Sequence, residues 1–103
     1  MTAQTAYDAL AADLADRGVT ASQMFGKPIL KNVNGKAVAC LSGDTVAFKL
    51  GADSPAFAEA LKLSGAKVFE PAEGRQMKGW VAVPSRHAKK YAKYCAAALD
   101  LLG

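Results

Sequence analysis

The dipeptide Asn34-Gly35 constrains the fold of this chain more than any other feature, because it separates two apolar runs at residues 29–33 and 37–41. A two-residue type I′ turn needs positive φ at both central positions, and Asn and Gly tolerate that conformation best. The sequence therefore predicts a β-hairpin that turns at these two residues.

Helical periodicity marks both ends of the chain. Over residues 3–17, Tyr7, Leu10 and Leu14 recur on one face, which predicts a helix that ends at Gly18. Thr5 and Asp8 have the spacing of a capping box, which would start this helix a turn late. A final helix is predicted to begin with Ser85 as its cap. Its apolar stripe consists of Ala88, Tyr91, Ala92, Cys95, Leu99 and Leu102.

Period-two alternation between the helices predicts strands. The alternation is cleanest at residues 45–50, and further strands are expected at 20–25, 77–83 and, briefly, 67–69. Ser54 and Pro55 have the residue types of an N-cap and a first helical position, so a short helix should run to about residue 64. We expect an α+β fold: one antiparallel sheet of about five strands, with N-terminal and C-terminal helices packed against one face.

Composition narrows the class of protein. The chain has 103 residues and a net charge of +4, which fits a single domain over 1–103 that permits but does not require an acidic partner. The sequence has no membrane-length apolar run and no basic start typical of a signal peptide, so we expect a cytoplasmic protein without membrane association. Cys40 and Cys95 belong to no close-spaced motif and are expected to be free thiols.

Three short motifs in order carry a family resemblance. They are Met24-Phe25-Gly26, Asn34-Gly35-Lys36, and the run from Met77 to Pro84. Together, over residues 18–101, they resemble the N-terminal domain of the TfoX (Sxy) competence-regulator family, with Lys27 in place of the family's second glycine. The resemblance implies an antiparallel sheet of about five strands and a non-enzymatic regulatory role. Longer members regulate natural-competence genes and carry a second, C-terminal domain.

The final helix carries the most distinctive polar feature. Arg86, Lys89, Lys90 and Lys93 are expected on the face opposite the apolar stripe, together with Tyr94. Cations near a helix N-terminus oppose the helix dipole, so local stability does not explain them. They indicate either a surface for nucleic acid or another acidic partner, with weak binding, or a solvated face that keeps the protein soluble.

Trp80 and Lys78 are further candidates for partner contact. Trp80 has the opposite phase to Val81 and Val83, so the sequence allows two placements for it. Trp80 is exposed at a binding or dimer surface if only one face of the sheet is covered, and otherwise it is packed over the core.

Catalytic and cofactor signals are weak. His87 is the single histidine, with no recognisable nucleophile or carboxylate spacing around it, and an exposed helix residue is the simpler interpretation. The sequence contains no metal-ligand spacing and no glycine-rich phosphate loop, so no metal or cofactor is predicted. We therefore expect a small non-enzymatic binding module that acts through a protein or nucleic-acid partner. An enzyme or small-ligand domain with a pocket between sheet and helices, and a homodimer paired through a sheet edge, remain as alternatives.

Overall fold

The computed structural model describes residues 2–24, 26–70, 74 and 76–102, with the side chains of Met24 and Leu102 outside the description. Phe25 and residues 71–73, which fall in predicted motifs or loops, also lie outside the described residues. The elements in chain order are α1 (Ala3–Leu14), a 3₁₀ turn (Ala15–Arg17), β1 (Thr20–Met24), β2 (Lys27–Lys31), β3 (Ala37–Ser42), β4 (Thr45–Lys49), α2 (Pro55–Leu61), β5 (Lys67–Val68), β6 (Trp80–Pro84), a 3₁₀ helix (Ser85–Lys90) and α3 (Tyr91–Leu102).

The strands form one six-stranded sheet in the order β1-β2-β3-β4-β6-β5. Every neighbouring pair is antiparallel, and β6 lies between β4 and the two-residue strand β5. The predicted α+β class, with terminal helices against an antiparallel sheet, is confirmed; the structure has six strands where about five were expected.

The main core lies between the helices and one face of the sheet. Alternation in β4 sends Val46 and Phe48 to this face, and the Phe48 ring centroid lies 5.4 Å from that of Tyr91. α1 contributes Tyr7 and Leu10, with Leu14 partly buried at its end, as the periodicity predicted. The helices are thus held mainly by apolar burial, which near room temperature contributes about 25 cal/mol per Å² of area removed from water.

A second, smaller cluster covers the other face of the sheet. Ile29, Cys40, Ala47 and Ala82 form its floor, and Phe69 packs over them against Trp80, with ring centroids 5.9 Å apart. Trp80 is only 4% exposed. Of the two placements, the exposed one is therefore wrong. Trp80 is buried in a hydrophobic cluster, but this cluster lies on the face away from the helices and is completed by the chain that follows β5.

The hairpin between β2 and β3 exists, but its turn differs from the predicted one. The backbone N–H of Gly35 donates to the carbonyl of Asn32 at 2.9 Å, which places Val33 and Asn34 at the centre of the turn. Gly35 follows at φ +80°, and Asn32 pairs with Lys36 across a three-residue loop. This arrangement is typical of a turn followed by a left-handed glycine, so the predicted two-residue type I′ turn is wrong.

The helix caps agree with the sequence in part. Ser54 accepts a hydrogen bond from the N–H of Phe57 and precedes Pro55, as predicted, and Gly18 ends the first helical segment at φ +80°. α1 is capped by Thr2 rather than Thr5, because the Thr2 hydroxyl accepts from the N–H of Thr5 at 3.1 Å.

Ser85 does not cap the final α-helix. Its hydroxyl donates to the carboxylate of Asp44 at 2.8 Å, and its N–H donates to the Asp44 carbonyl. Residues 85–90 form a 3₁₀ helix, and α3 begins only at Tyr91. This tie to the β3–β4 turn fixes where the last strand gives way to helix.

Candidate partner-binding surfaces

The four predicted cations of the final helix lie together on its first turns. Arg86, Lys89 and Lys90 belong to the 3₁₀ helix and Lys93 to the first turn of α3, and all four are exposed. We call these residues the basic segment. Residues three apart lie on one side of a 3₁₀ helix, so Lys90 and Lys93 align. Arg86 is set apart from Lys89 by a kink at His87, whose backbone is non-helical with φ −103° and ψ 20°.

Two members of the basic segment make contacts with α2 or with the turn that follows it. The Lys93 ammonium lies 2.7 Å from the Glu59 carboxylate, with 60% and 44% of the two side chains exposed, so the pair adds little stability. The hydrogen bond lowers the pKa of Glu59 and raises that of Lys93. The Arg86 guanidinium donates to the Ser64 hydroxyl at 3.2 Å.

Lys89 and Lys90 form the more available part of the basic segment. Among the residues that the structure describes, neither makes an ion pair. Lys90 still lies close enough to Glu59 to lower the pKa of that carboxyl, after the larger effect of Lys93. The ammonium groups of Lys89 and Lys90 are thus exposed to solvent, near the Glu59 carboxylate that already pairs with Lys93.

Tyr94 does not belong to this surface. The buried positions of α3 are Tyr91, Tyr94, Cys95, Ala98 and Leu99. Their spacing is i, i+3, i+4, i+7 and i+8, which places Tyr94 inside, where its ring centroid lies 6.2 Å from that of Phe48. The predicted exposed aromatic is therefore wrong.

Lys78 and Trp80 do not belong to the basic segment. Lys78 is exposed in the turn before β6, whereas Trp80 is buried in the cluster on the face of the sheet opposite the helices. The structure does not bring Trp80 to a surface where it could stack on a partner.

A second group of lysines, not predicted from the sequence, lies on the other face of the sheet. Strand register and alternation place Lys27, Lys31, Lys49 and Lys67 on the same face of the sheet as Ile29, Ala47 and Ala82. We call these four residues the lysine rim. The signal was present in the alternation of residues 27–31, where Lys27 and Lys31 flank Ile29 on one face, and of residues 45–49, where Lys49 follows Ala47 on one face.

The nucleophilic and titratable side chains form no catalytic arrangement within the described residues. The His87 Nε2 atom lies 2.9 Å from the Ser64 carbonyl, so that ring anchors the 3₁₀ helix to the end of α2. Cys40 and Cys95 are free thiols, as expected, and burial raises the pKa of each to about 11. They lie in clusters on opposite faces of the sheet, too protonated near neutral pH to act as nucleophiles.

The described parts of the chain contain no cluster of metal ligands, and two surface depressions are open to solvent. No group of three or more His, Cys, Asp or Glu side chains is close enough to hold a metal ion there. A shallow depression of about 570 Å³ lies beside β1, lined by Tyr7, Ala21, Ser22, Gln23 and Pro28. A groove of about 130 Å³ between α1 and the final helical segment contains one carboxylate, that of Asp13.

Comparison with known proteins finds no match for this chain. No protein-family model, curated protein or solved structure matches it. Of the helices in the described ranges, none combines the length and apolar character required to cross a bilayer. Any functional conclusion therefore rests on the residues themselves.

Proposed function

We propose that this protein is a small non-enzymatic binding module that uses its basic segment to hold the phosphate backbone of a nucleic acid. One observation carries the proposal: Lys89 and Lys90 are adjacent and exposed, and neither forms an ion pair with a described residue. The sequence resemblance to the N-terminal domain of TfoX regulators supports a regulatory role for such a module.

The position of the basic segment is electrostatically unfavourable without a partner. Lys90 and Lys93 lie at the start of α3, where the helix dipole presents partial positive charge that repels cations. Glu59 offsets part of this repulsion through Lys93. A polyanion placed across Lys89 and Lys90 would relieve the remainder, because it supplies negative charge where helix and side chains are both positive.

The local backbone favours a polyanion over a single small phosphate. The N-terminus of the 3₁₀ helix already engages Asp44, whose carbonyl and carboxylate accept from the N–H and hydroxyl of Ser85. The N–H and hydroxyl of Ser85 are therefore already taken up by Asp44 and are not available to a phosphate. Binding through exposed ammonium groups alone should be weak, salt-sensitive and indifferent to base sequence.

A titration with mixed-sequence duplex DNA and with RNA tests this proposal. If about two to four phosphates are neutralised, affinity should fall roughly 10- to 150-fold between 50 and 200 mM salt. The double variant Lys89→Glu/Lys90→Glu should abolish binding at 50 mM salt. The matched control is Lys31→Glu/Lys49→Glu, which makes the same change in net charge on the opposite face of the sheet.

The control separates a local site from general attraction to a basic protein. The proposal requires that the control variant keeps most of its affinity. Equal loss in both variants would show that net charge alone drives binding, and loss only in the control would assign binding to the lysine rim. Either result rejects the basic segment as the nucleic-acid surface.

A further inference from the structure

The two edges of the sheet are built differently. β5 at one end has two residues, includes a lysine, and continues into Phe69, whose N–H donates to the Trp80 carbonyl. β1 at the other end has five residues, all in register with β2. Proteins usually shorten, charge, bulge or cover an edge strand to prevent pairing with other chains. β5 shows such protection by its length and its lysine.

β1 has none of these devices. Its residues, Thr20, Ala21, Ser22, Gln23 and Met24, include no charge and no proline. Its register with β2 runs without a bulge, and no described segment pairs with its outer side. In an antiparallel ladder, alternate residues direct their N–H and C=O groups away from the paired neighbour. β1 therefore offers an unprotected row of hydrogen-bonding groups.

We propose that β1 is a homodimer interface, at which a second copy of this chain pairs antiparallel about a twofold axis through Ser22. The pairing joins two six-stranded sheets into one. Ala21 then lies opposite the partner's Gln23, and Thr20 opposite the partner's Met24. Because the strand is uncharged, this self-pairing sets no like charges directly opposite one another, the arrangement that destabilises strand pairs.

The depression beside β1 supports a second copy as the occupant. Ala21 and Gln23 pair with Leu30 and Pro28, and so they share the helix-side face of the sheet with Tyr7. The depression of about 570 Å³ is lined by these residues and lies where the next strand would place its side chains. In the twofold register the partner's Gln23 stands beside Ala21, so its amide enters this space.

The surface buried by the strand pairing and the lysines near it determine the expected affinity of this dimer. Pairing of two five-residue strands buries less than the roughly 1,200 Å² of a stable interface, so we expect a dissociation constant of about 10 μM to 1 mM. Lys27 lies three strand spacings from the partner's Lys31, about 14 Å, and this repulsion is screened by salt. Salt should therefore tighten the dimer, whereas it weakens nucleic-acid binding.

Sedimentation equilibrium from about 10 μM to 1 mM protein tests the proposal, with variants that introduce a charge at the twofold axis. Ser22→Lys and Ser22→Asp should each raise the dissociation constant at least about tenfold, because each places two like charges opposite one another. An equal mixture of the two variants should associate again, since the twofold axis pairs lysine with aspartate. Lys67→Glu on β5 is the control and should dimerise as wild type does.

Hydrogen exchange gives a readout that needs no variant. Alternate amides of β1 should exchange more slowly at 1 mM protein than at 10 μM, whereas the amides of β5 should be unaffected by concentration. A wild-type chain that stays monomeric at 1 mM overturns the proposal. So does a mixture of folded Ser22→Lys and Ser22→Asp variants that remains monomeric, or a loss of association in Lys67→Glu.

Discussion

Asn32 is the residue whose removal should most damage the β2–β3 hairpin. Its Oδ1 atom accepts from the backbone N–H groups of Asn34 and Lys36, both at 2.9 Å, and the residue is 6% exposed. Its own N–H donates to the Lys36 carbonyl and its carbonyl accepts from Gly35. One side chain thus satisfies two donors inside a loop that lacks ladder hydrogen bonds.

Asn32→Ala should lower the free energy of unfolding by about 1–3 kcal/mol, because two hydrogen bonds worth roughly 0.5–1.5 kcal/mol each are lost. In a domain of this size that corresponds to a fall in Tm of roughly 5–20 °C. Asn32→Asp keeps an acceptor in the same place and should lose less. The assay is thermal unfolding followed by circular dichroism at pH 7 for all three proteins.

Melting of Asn32→Ala within about 2 °C of wild type would contradict this prediction, since the loss of two part-buried hydrogen bonds should lower Tm by more than that. An aspartate variant that is less stable than the alanine variant would contradict it too. Either outcome would mean that the loop is held by its backbone bonds and Gly35 rather than by the Asn32 side chain.

Two further predictions concern buried hydroxyl and thiol groups. Tyr91→Phe should lower the free energy of unfolding in urea by about 1–2 kcal/mol, because the Tyr91 hydroxyl donates to the Val83 carbonyl at 2.6 Å. Tyr94→Phe should be neutral or stabilising, because the Tyr94 hydroxyl has no partner among described residues. Equal losses in the two variants would refute this contrast. Burial raises the pKa of Cys40 and Cys95 to about 11 and that of Tyr91 to about 12, so the folded state holds protons that the unfolded state releases. The contribution of these three groups to stability should be constant from neutral pH to about pH 9 and then fall through pH 12 by up to roughly 1.4 kcal/mol per pH unit and group. A chemical-denaturation profile that stays flat from about pH 7 to pH 11 would contradict this.

Sequence patterns sufficed for elements fixed by local periodicity. The stripe of α1, the Ser54-Pro55 helix start and the alternation of β4 all rest on contacts within a few residues or on one dominant face. The α+β class followed from these elements, because short turns leave consecutive strands antiparallel.

Other features depended on partners distant in the chain. Asp44 determines what Ser85 does, and the resulting 3₁₀ helix shifts the phase of the segment before α3. A uniform helix from Ser85 therefore placed Tyr94 outside, although the spacing from Tyr91 onward would have placed it inside. The burial of Trp80 likewise requires Phe69 to pack across the second face of the sheet.

The candidate site was predictable in part for the same reason. Exposure of Arg86, Lys89, Lys90 and Lys93 follows from a run of cations between apolar positions. The ion pair of Lys93 with Glu59 and the hydrogen bond of Arg86 to Ser64 join segments that lie far apart in sequence. Only the folded chain shows that the more available cations are Lys89 and Lys90.

Binding of nucleic acid by the basic segment is the central claim, and residue-resolved NMR tests it most directly. The backbone amide spectrum would be recorded during titration with a short mixed-sequence DNA duplex at 50 mM salt. If the basic segment binds DNA, the amide chemical shifts should change mainly at residues 86–93 and at the facing residues 59–64. These changes should fade as the salt concentration is raised to 200 mM. An unchanged spectrum at 50 mM salt, or changes centred on the lysine rim of β2 and β4, would contradict it.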